Sequence, residues 1–141
     1  MRYLLDTNVV SELAVKHPNQ RVLHWLSQHN VEDTYLNVIT IGELSKGVER
    51  LPASKRREAL GSWLQGDLLA RFSERVLIID VDTMLTWGRL TSHLSRVGRI
   101  LPVMDSLIAA LAVQHHCVLV TRNVGDFAGT GVTLINPWNE A

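Results

Sequence analysis

Four acidic residues stand at positions from which side chains could do chemistry together. They are Asp6, Glu43, Asp105 and Asp126. Each lies either directly after an apolar run typical of a buried strand or in the first turn of a predicted helix. In a parallel sheet these strand-to-helix junctions lie along one edge, so we expect four acids that are distant in sequence to converge there.

Four carboxylates in one place need protons or cations. Two carboxylates about 4 Å apart repel by roughly 4 kcal/mol at an effective dielectric near 20, and none of the four motifs contains a lysine. A site made only of oxygen ligands suits Mg²⁺, with Mn²⁺ as a plausible substitute. No Cys/His spacing fits zinc, and the sequence has no phosphate-binding glycine loop or nucleophile elbow. Metal-assisted hydrolysis of a phosphodiester is the chemistry that such a site performs well.

Polar residues beside the acids could support this site. Thr7, Asn8, Thr121 and Asn123 are expected to hold the carboxylates or the scissile phosphate by hydrogen bonds. Four basic residues are candidates for contacts to RNA phosphates, namely Lys46, Arg96, Arg99 and Arg122.

A purely structural interpretation of the same acids stays open. Asp6, Thr7 or Asn8 could cap the helix that follows. Glu43 comes three residues after Thr40, which is the spacing of a capping box. A carboxylate such as Asp105 in a first helical turn is favoured by the helix dipole alone.

The elements that must position these residues alternate between strands and helices. Strands are predicted directly before Asp6 and over 34–38, 76–79, 117–121 and 132–135. Helices are predicted over about 9–15, 20–29, from 40 to the break at Pro52, 55–72, 83–96 and onward from Pro102. Asp80 or Asp82, with Asp82 favoured, is expected to cap the helix over 83–96. The alternation predicts an α/β fold, with a mainly parallel sheet covered by helices on both faces.

Composition sets broad limits. A chain of 141 residues is the size of one domain, and 46% hydrophobic residues indicate a globular protein. The net charge of zero does not indicate a nucleic-acid-binding protein, but it does not exclude one. The lone cysteine, Cys117, lies in an apolar run, so a buried thiol is expected. No signal peptide and no apolar run near 20 residues is found, so we expect a cytoplasmic protein without a membrane association.

Four motifs together resemble the PIN-domain nucleases. They are Leu4-Leu5-Asp6-Thr7-Asn8, the stretch from Thr40 to Leu44 with Glu43, the stretch from Asp105 to Ala109, and the stretch from Thr121 to Phe127 with Asp126. The match is closest to VapC toxins and to the FitB-like proteins among them, which also share the terminal Asn136-Pro137-Trp138. The resemblance covers essentially the whole chain in order, as one PIN domain over residues 1–141.

This resemblance implies a PIN-like three-layer α/β/α sandwich and a Mg²⁺- or Mn²⁺-dependent endoribonuclease. It implies a toxin of a type II toxin-antitoxin system, neutralised by a cognate VapB/FitA-like antitoxin, with promoter DNA bound only through the antitoxin complex. A homodimer and an RNA substrate, with initiator tRNA as the suggested target, are further expectations. Asp6, Glu43 and Asp105 fall on the family's first three metal-site acids; for the fourth we choose Asp126, supported by Asn123, because relatives place an acid at either position.

Other functions remain to be weighed. A non-enzymatic α/β domain could use the acids as caps or merely bind Mg²⁺ with them, although a receiver-like signalling domain would want a lysine where this chain has Thr121-Arg122. A PIN-type nuclease acting on structured DNA would need extra elements to grip a duplex, which this chain does not show. A PIN fold that has lost catalysis and acts only in RNA or partner binding is a third alternative, against which the intact acids argue. The non-enzymatic α/β domain is the main alternative.

Overall fold

A five-stranded, all-parallel sheet forms the centre of the protein. The computed structural model describes residues 1–139. The strands are β1 (Arg2–Leu5), β2 (Thr34–Asn37), β3 (Val76–Leu77), β4 (Cys117–Val120) and β5 (Leu134–Ile135), in the spatial order β3-β2-β1-β4-β5. All four strand pairs are parallel; in the longest, β1 runs beside β4 from Arg2 opposite Cys117 to Leu5 opposite Val120. The predicted parallel α/β fold is therefore confirmed.

Helices connect the strands and cover them. They are α1 (Thr7–Ser11), α2 (Gln20–Ser27), α3 (Val38–Glu49), α4 (Lys55–Ser62), α5 (Leu69–Arg71), α6 (Val81–Arg96), α7 (Val103–Gln114) and α8 (Val124–Phe127). A π-helical segment, Trp63–Leu68, joins α4 to α5, and a 3₁₀ turn, Val31–Asp33, precedes β2. Within residues 1–139, no helix is both long enough and apolar enough to cross a membrane.

The two faces of the sheet carry separate hydrophobic cores. Consecutive side chains of a strand point to opposite faces. Leu4 accordingly packs with residues of α6 and α7, whereas the neighbouring Leu5 packs with α1, α2 and the segment around Leu64. Both leucines are fully buried. The result is the three-layer arrangement, with helices on each side of the sheet.

The order of the strands fixes where a ligand can approach. The chain builds outward from β1 through β2 to β3, and then returns to place β4 on the other side of β1. Connections on the two sides of β1 therefore diverge above its carboxyl end, which opens a crevice between β1 and β4. Asp6 follows β1 directly and Thr121 follows β4 directly, so both lie at this crevice.

Several boundaries differ from those predicted; α1, for example, is Thr7–Ser11 instead of about 9–15, and β5 is Leu134–Ile135 instead of 132–135. Helix α3 begins at Val38 and not at Thr40, because the side chain of Asn37 accepts a hydrogen bond from the Thr40 amide and caps the helix. Helix α6 is capped by Asp80, whose carboxylate accepts from the Thr83 amide, so the preference for Asp82 was wrong. Strand β3 ends at Leu77, and the side chain of Ile78 is 61% exposed instead of buried within a strand.

Candidate active site at the carboxyl ends of β1 and β4

Asp6 is held at the crevice from three directions. Its backbone amide continues the sheet by donating to the carbonyl of Val120 on β4. Its carboxylate accepts from the Thr7 amide at 2.8 Å, from the Thr121 hydroxyl at 2.7 Å and from the Asn8 amide group at 3.4 Å. Asp6 thus caps α1, yet a cap at a helix N-terminus does not need to be buried, and this residue is only 5% exposed.

Burial makes the charge of Asp6 costly. Removal from water raises the pKa of the Asp6 carboxyl, against the hydrogen bonds from Thr121 and Thr7, which lower it; the charge of Glu43 raises it further. The net direction is upward. A carboxylate that is buried and short of positive charge is the kind of group that a bound cation stabilises.

Asp105 lies in the first turn of α7, where the charges of the other three acids act on its carboxyl. Partial burial raises the pKa of its carboxyl, and the charges of Asp6, Glu43 and Asp126 raise it in that order. Three acids from three other parts of the chain therefore act on Asp105 at once. This placement agrees with the expected convergence of the four acids at one edge of the sheet.

Glu43 is not engaged in a capping box. Since Asn37 is the cap of α3, Glu43 stands one turn further along the helix than that motif requires. Its carboxylate instead accepts a hydrogen bond from the hydroxyl of Thr7, at 2.7 Å across 36 positions in sequence. The Thr7 and Thr40 hydroxyls are 3.0 Å apart. Glu43 itself is exposed to solvent at the crevice.

Asp126 is carried by the short helix α8 at the end of a turn that follows β4. The Asn123 amide donates to the Thr121 hydroxyl at 3.0 Å, which ties the start of this turn to the hydroxyl that also holds Asp6. From the other side, the guanidinium of Arg99 donates to the carbonyls of Asp126, at 3.2 Å, and Ala128. Asp126 is exposed, so its placement depends on the backbone of this turn.

The four basic candidates occupy different surroundings. Lys46 is exposed on α3 and lines a groove together with Glu43. Arg96 is exposed in the last turn of α6, where a cation is favoured by the helix dipole. The guanidinium of Arg122 lies 5.2 Å from the centre of the Trp138 ring. Arg99 already donates to backbone carbonyls of the turn that carries Asp126.

Within residues 1–139, no three acidic, histidine or cysteine side chains come close enough to enclose a metal ion as they stand. Asp6 is buried and hydrogen-bonded, and Asp105 is half-buried. Glu43 is exposed but accepts a hydrogen bond from Thr7, and Asp126 is exposed. Mutual repulsion favours a separated arrangement of such groups in the absence of a cation. The oxygen donors fit a hard divalent ion chemically, and a bound cation would draw the carboxylates closer together.

Two residues that belong to this site were not identified from the sequence. Asn37 and Thr40 are both fully buried and lie next to Thr7 and Glu43 through hydrogen bonds. The signal was available for Asn37, which is a capping residue at a strand-to-helix junction, the same position that drew attention to Asp6.

Comparison with known proteins gives a consistent result along nearly the whole chain. The family model described as "PIN domain" matches residues 3–130. The chain is 37% identical to VapC ribonuclease Y4jK of Sinorhizobium fredii over 138 residues, covering 98% of this chain and 99% of that protein. It is 36% identical to toxin FitB of Neisseria gonorrhoeae over 137 residues, covering 97% and 99%. A solved structure of FitAB bound to an IR36 DNA fragment superposes with a TM-score of 0.93 at 34% identity, covering 99% of this chain and 97% of that one.

Proposed function

This chain belongs to the PIN-domain family, and we propose that it is an endoribonuclease, the toxin of a type II toxin-antitoxin pair, which hydrolyses RNA phosphodiester bonds at Asp6, Glu43, Asp105 and Asp126. Relatives named as a VapC ribonuclease and as a toxin match almost all of its length. The observation that carries the proposal is the burial of Asp6 at the crevice, where the charge of Glu43 raises the pKa of its carboxyl further and Asp6 in turn raises the pKa of Asp105.

Mg²⁺ is the proposed cofactor, with Mn²⁺ as a substitute. The donor set consists of carboxylate oxygens, which hard divalent ions prefer. Between residues 1 and 139 one ion pair forms, Arg57 with Glu49, and it leaves the four acids without a basic side chain to neutralise them. When bound, the ion would supply a Lewis acid that polarises the phosphoryl oxygens and lowers the pKa of water.

The residues around the acids then have distinct tasks. Thr121 and Asn8 fix the orientation of the Asp6 carboxylate, and Thr7 fixes Glu43. Asn123 supports the Thr121 hydroxyl through its backbone amide. Thr7 and Asn8 lie in α1 and Thr121 follows β4 directly, so these donors hold Asp6 and Glu43 beside the centre of the sheet.

RNA is proposed to approach across the exposed side of the crevice. Lys46, Arg96, Arg99 and Arg122 would contact its phosphates, with initiator tRNA as the proposed target. Such contacts release counterions, so binding should weaken as salt is raised. If raising the salt concentration lowers the affinity for unrelated RNAs by the same factor, these four residues contact the phosphate backbone and not the bases.

Partners and location complete the proposal. A VapB/FitA-like antitoxin would neutralise the protein in the cytoplasm, and the complex would contact promoter DNA through the antitoxin. The FitAB relative was solved on a DNA fragment. A homodimer is supported by apolar side chains left in water near the start of α6 and α7, where Val81 is 75% and Val103 62% exposed. Residues 1–141 would form the single PIN domain.

The direct test is cleavage of total bacterial RNA by purified, antitoxin-free protein, in Mg²⁺ and in EDTA, beside Asp6→Asn. Cuts at a few sites that need the metal and vanish in the variant would support the proposal and identify the substrate. A folded protein that cuts neither RNA nor DNA in Mg²⁺ or Mn²⁺ would overturn it in favour of a PIN fold that only binds RNA or a partner.

A further inference from the structure

A chain of hydrogen bonds runs from the buried interior to Glu43. It begins at the Asn37 side-chain amide, continues through the hydroxyls of Thr40 and Thr7, and ends at Oε1 of Glu43. The successive separations are 3.3, 3.0 and 2.7 Å. Asn37 and Thr40 are fully buried, so water does not compete for these groups.

The direction of this chain follows from its two ends. The backbone amide of Thr40 donates to Asn37 at 2.9 Å, so the atom it meets must be the carbonyl oxygen, Oδ1. The other atom of that amide group is therefore nitrogen, which can only donate, and it donates to the Thr40 hydroxyl. At the far end, an ionised Glu43 can only accept, so Thr7 gives it the hydroxyl proton.

The middle link is then determined. A hydroxyl has one proton, and that of Thr7 is committed to Glu43. The bond between the two threonines must therefore run from the Thr40 hydroxyl to the Thr7 oxygen. Each hydroxyl that accepts a hydrogen bond becomes a stronger donor to the next group, so the chain strengthens toward the carboxylate.

We propose that Asn37 and Thr40 are positioning residues, which act through Thr7 to hold the exposed Glu43 side chain in the orientation that binds the divalent cation. This inference rests on the proposed function. Glutamate has three rotatable bonds, and this one stands in solvent, so it would otherwise sample many orientations. Within residues 1–139, Oε1 accepts from Thr7, and Oε2 accepts no hydrogen bond, which leaves Oε2 available to the cation.

The test compares two substitutions at one buried position. Thr40→Val keeps the branched shape and removes the hydroxyl, whereas Thr40→Ser keeps the hydroxyl. Thr34→Val is the matched control, because Thr34 is also buried, at 3% exposure, and its hydroxyl donates to the carbonyl of Val31 at 2.7 Å, away from the acids. The melting temperature of each protein is titrated with MgCl₂ to give an apparent Mg²⁺ affinity, and RNA cleavage is measured in parallel.

We expect Thr40→Val to lower the apparent Mg²⁺ affinity about 10-fold or more, the scale typical of residues that support metal ligands. Thr40→Ser should recover most of it, and Thr34→Val should lose stability without losing affinity. If Thr40→Val does not fold, Thr40→Ala, which cannot clash, carries the same expectation.

Two results would overturn the inference in different ways. Equal Mg²⁺ affinity in Thr40→Val and Thr34→Val, with the wild type binding Mg²⁺ and cutting RNA, would refute the positioning role and leave the proposed function standing. A wild type that neither gains stability from Mg²⁺ nor cuts RNA would remove both.

Discussion

Replacing Asp6 by asparagine distinguishes a metal-binding role of this residue from a helix-capping role. Asparagine caps about as well as aspartate, so the hydrogen bond from the Thr7 amide survives. The amide nitrogen cannot accept from the Thr121 hydroxyl, and that lost charge-assisted bond costs roughly 1.5–3 kcal/mol. Against this, one charge leaves a group of acids, and a like-charged pair about 6 Å apart repels by roughly 3 kcal/mol at an effective dielectric of 20.

The pKa of Asp6 indicates whether the lost hydrogen bond or the relieved charge repulsion has the larger effect on the stability of Asp6→Asn. Burial raises that pKa despite all the hydrogen bonds to the carboxylate, so the neutral form is more favoured in the folded chain than in the unfolded chain. We therefore expect the metal-free Asp6→Asn protein to be unchanged or more stable by up to about 2 kcal/mol, which for this size is a melting temperature higher by up to roughly 6 °C. Cleavage of RNA should fall by about 100-fold or more, beyond the loss typical of supporting residues.

The assay is calorimetry of wild type and variant in EDTA and in Mg²⁺, with RNA cleavage on the same samples. Mg²⁺ should raise the melting temperature of the wild type and much less that of the variant, since only the folded state offers the site. Asp80→Asn is the matched control, because Asp80 also caps a helix but is exposed, and hydrogen bonds from Thr83 lower its pKa. A variant at Asp6 that cuts RNA as well as the wild type would refute the assignment, as would a metal-free variant clearly less stable than the wild type.

Three further outcomes are expected. Because the pKa of Asp6 is raised, the folded state keeps a proton that the unfolded state has lost, and the stability of the metal-free wild type relative to Asp6→Asn should fall as pH rises from about 4 through the raised pKa. The pKa of Asp80 is lowered, so its contribution to stability should be lost as pH falls below about 4. Urea unfolding at several pH values measures both effects. Burial raises the pKa of the Cys117 thiol to about 11, so at pH 8 only about one thiol in a thousand is ionised and alkylation of the native protein should be far slower than that of the urea-unfolded chain; equal rates would contradict the burial. Arg99→Ala removes the donors to the carbonyls of Asp126 and Ala128 and should weaken Mg²⁺ binding, measured by thermal titration, about 10-fold. Arg99→Lys should recover part of that binding, whereas unchanged Mg²⁺ affinity in Arg99→Ala, with only weaker RNA binding, would indicate that Arg99 acts on phosphate.

Some features could be predicted because they depend on local properties of the chain. The uninterrupted apolar run from Cys117 to Val120 indicates a strand buried on both faces, and the structure has that strand with all four residues buried. Alternation of such strands with helices predicts a parallel sheet, and in a parallel sheet every strand-to-helix junction lies at one edge. That reasoning alone brought Asp6, Glu43, Asp105 and Asp126 to the same region.

Helix boundaries were predicted less well, since several residues near each junction could cap. The sequence offers both Asp80 and Asp82 near the start of α6, and only the folded backbone selects Asp80, whose backbone amide also donates to the Thr83 hydroxyl at 3.1 Å. In the same way, Asn37 displaced Thr40 as the cap of α3. This shift of one turn ended the capping-box interpretation of Glu43.

The sequence by itself determined which residue types meet at one edge of the sheet, because that follows from periodicity and from the alternation of strands and helices. Only the tertiary structure decided how they meet. The bond from Thr7 to Glu43 joins residues 36 positions apart, and that from Thr121 to Asp6 joins residues 115 apart. Such pairings depend on how α1, α3 and β4 pack against β1. The burial that raises the pKa of Asp6 has the same origin, since it is a property of the packed layers and not of the residues that surround Asp6 in the chain.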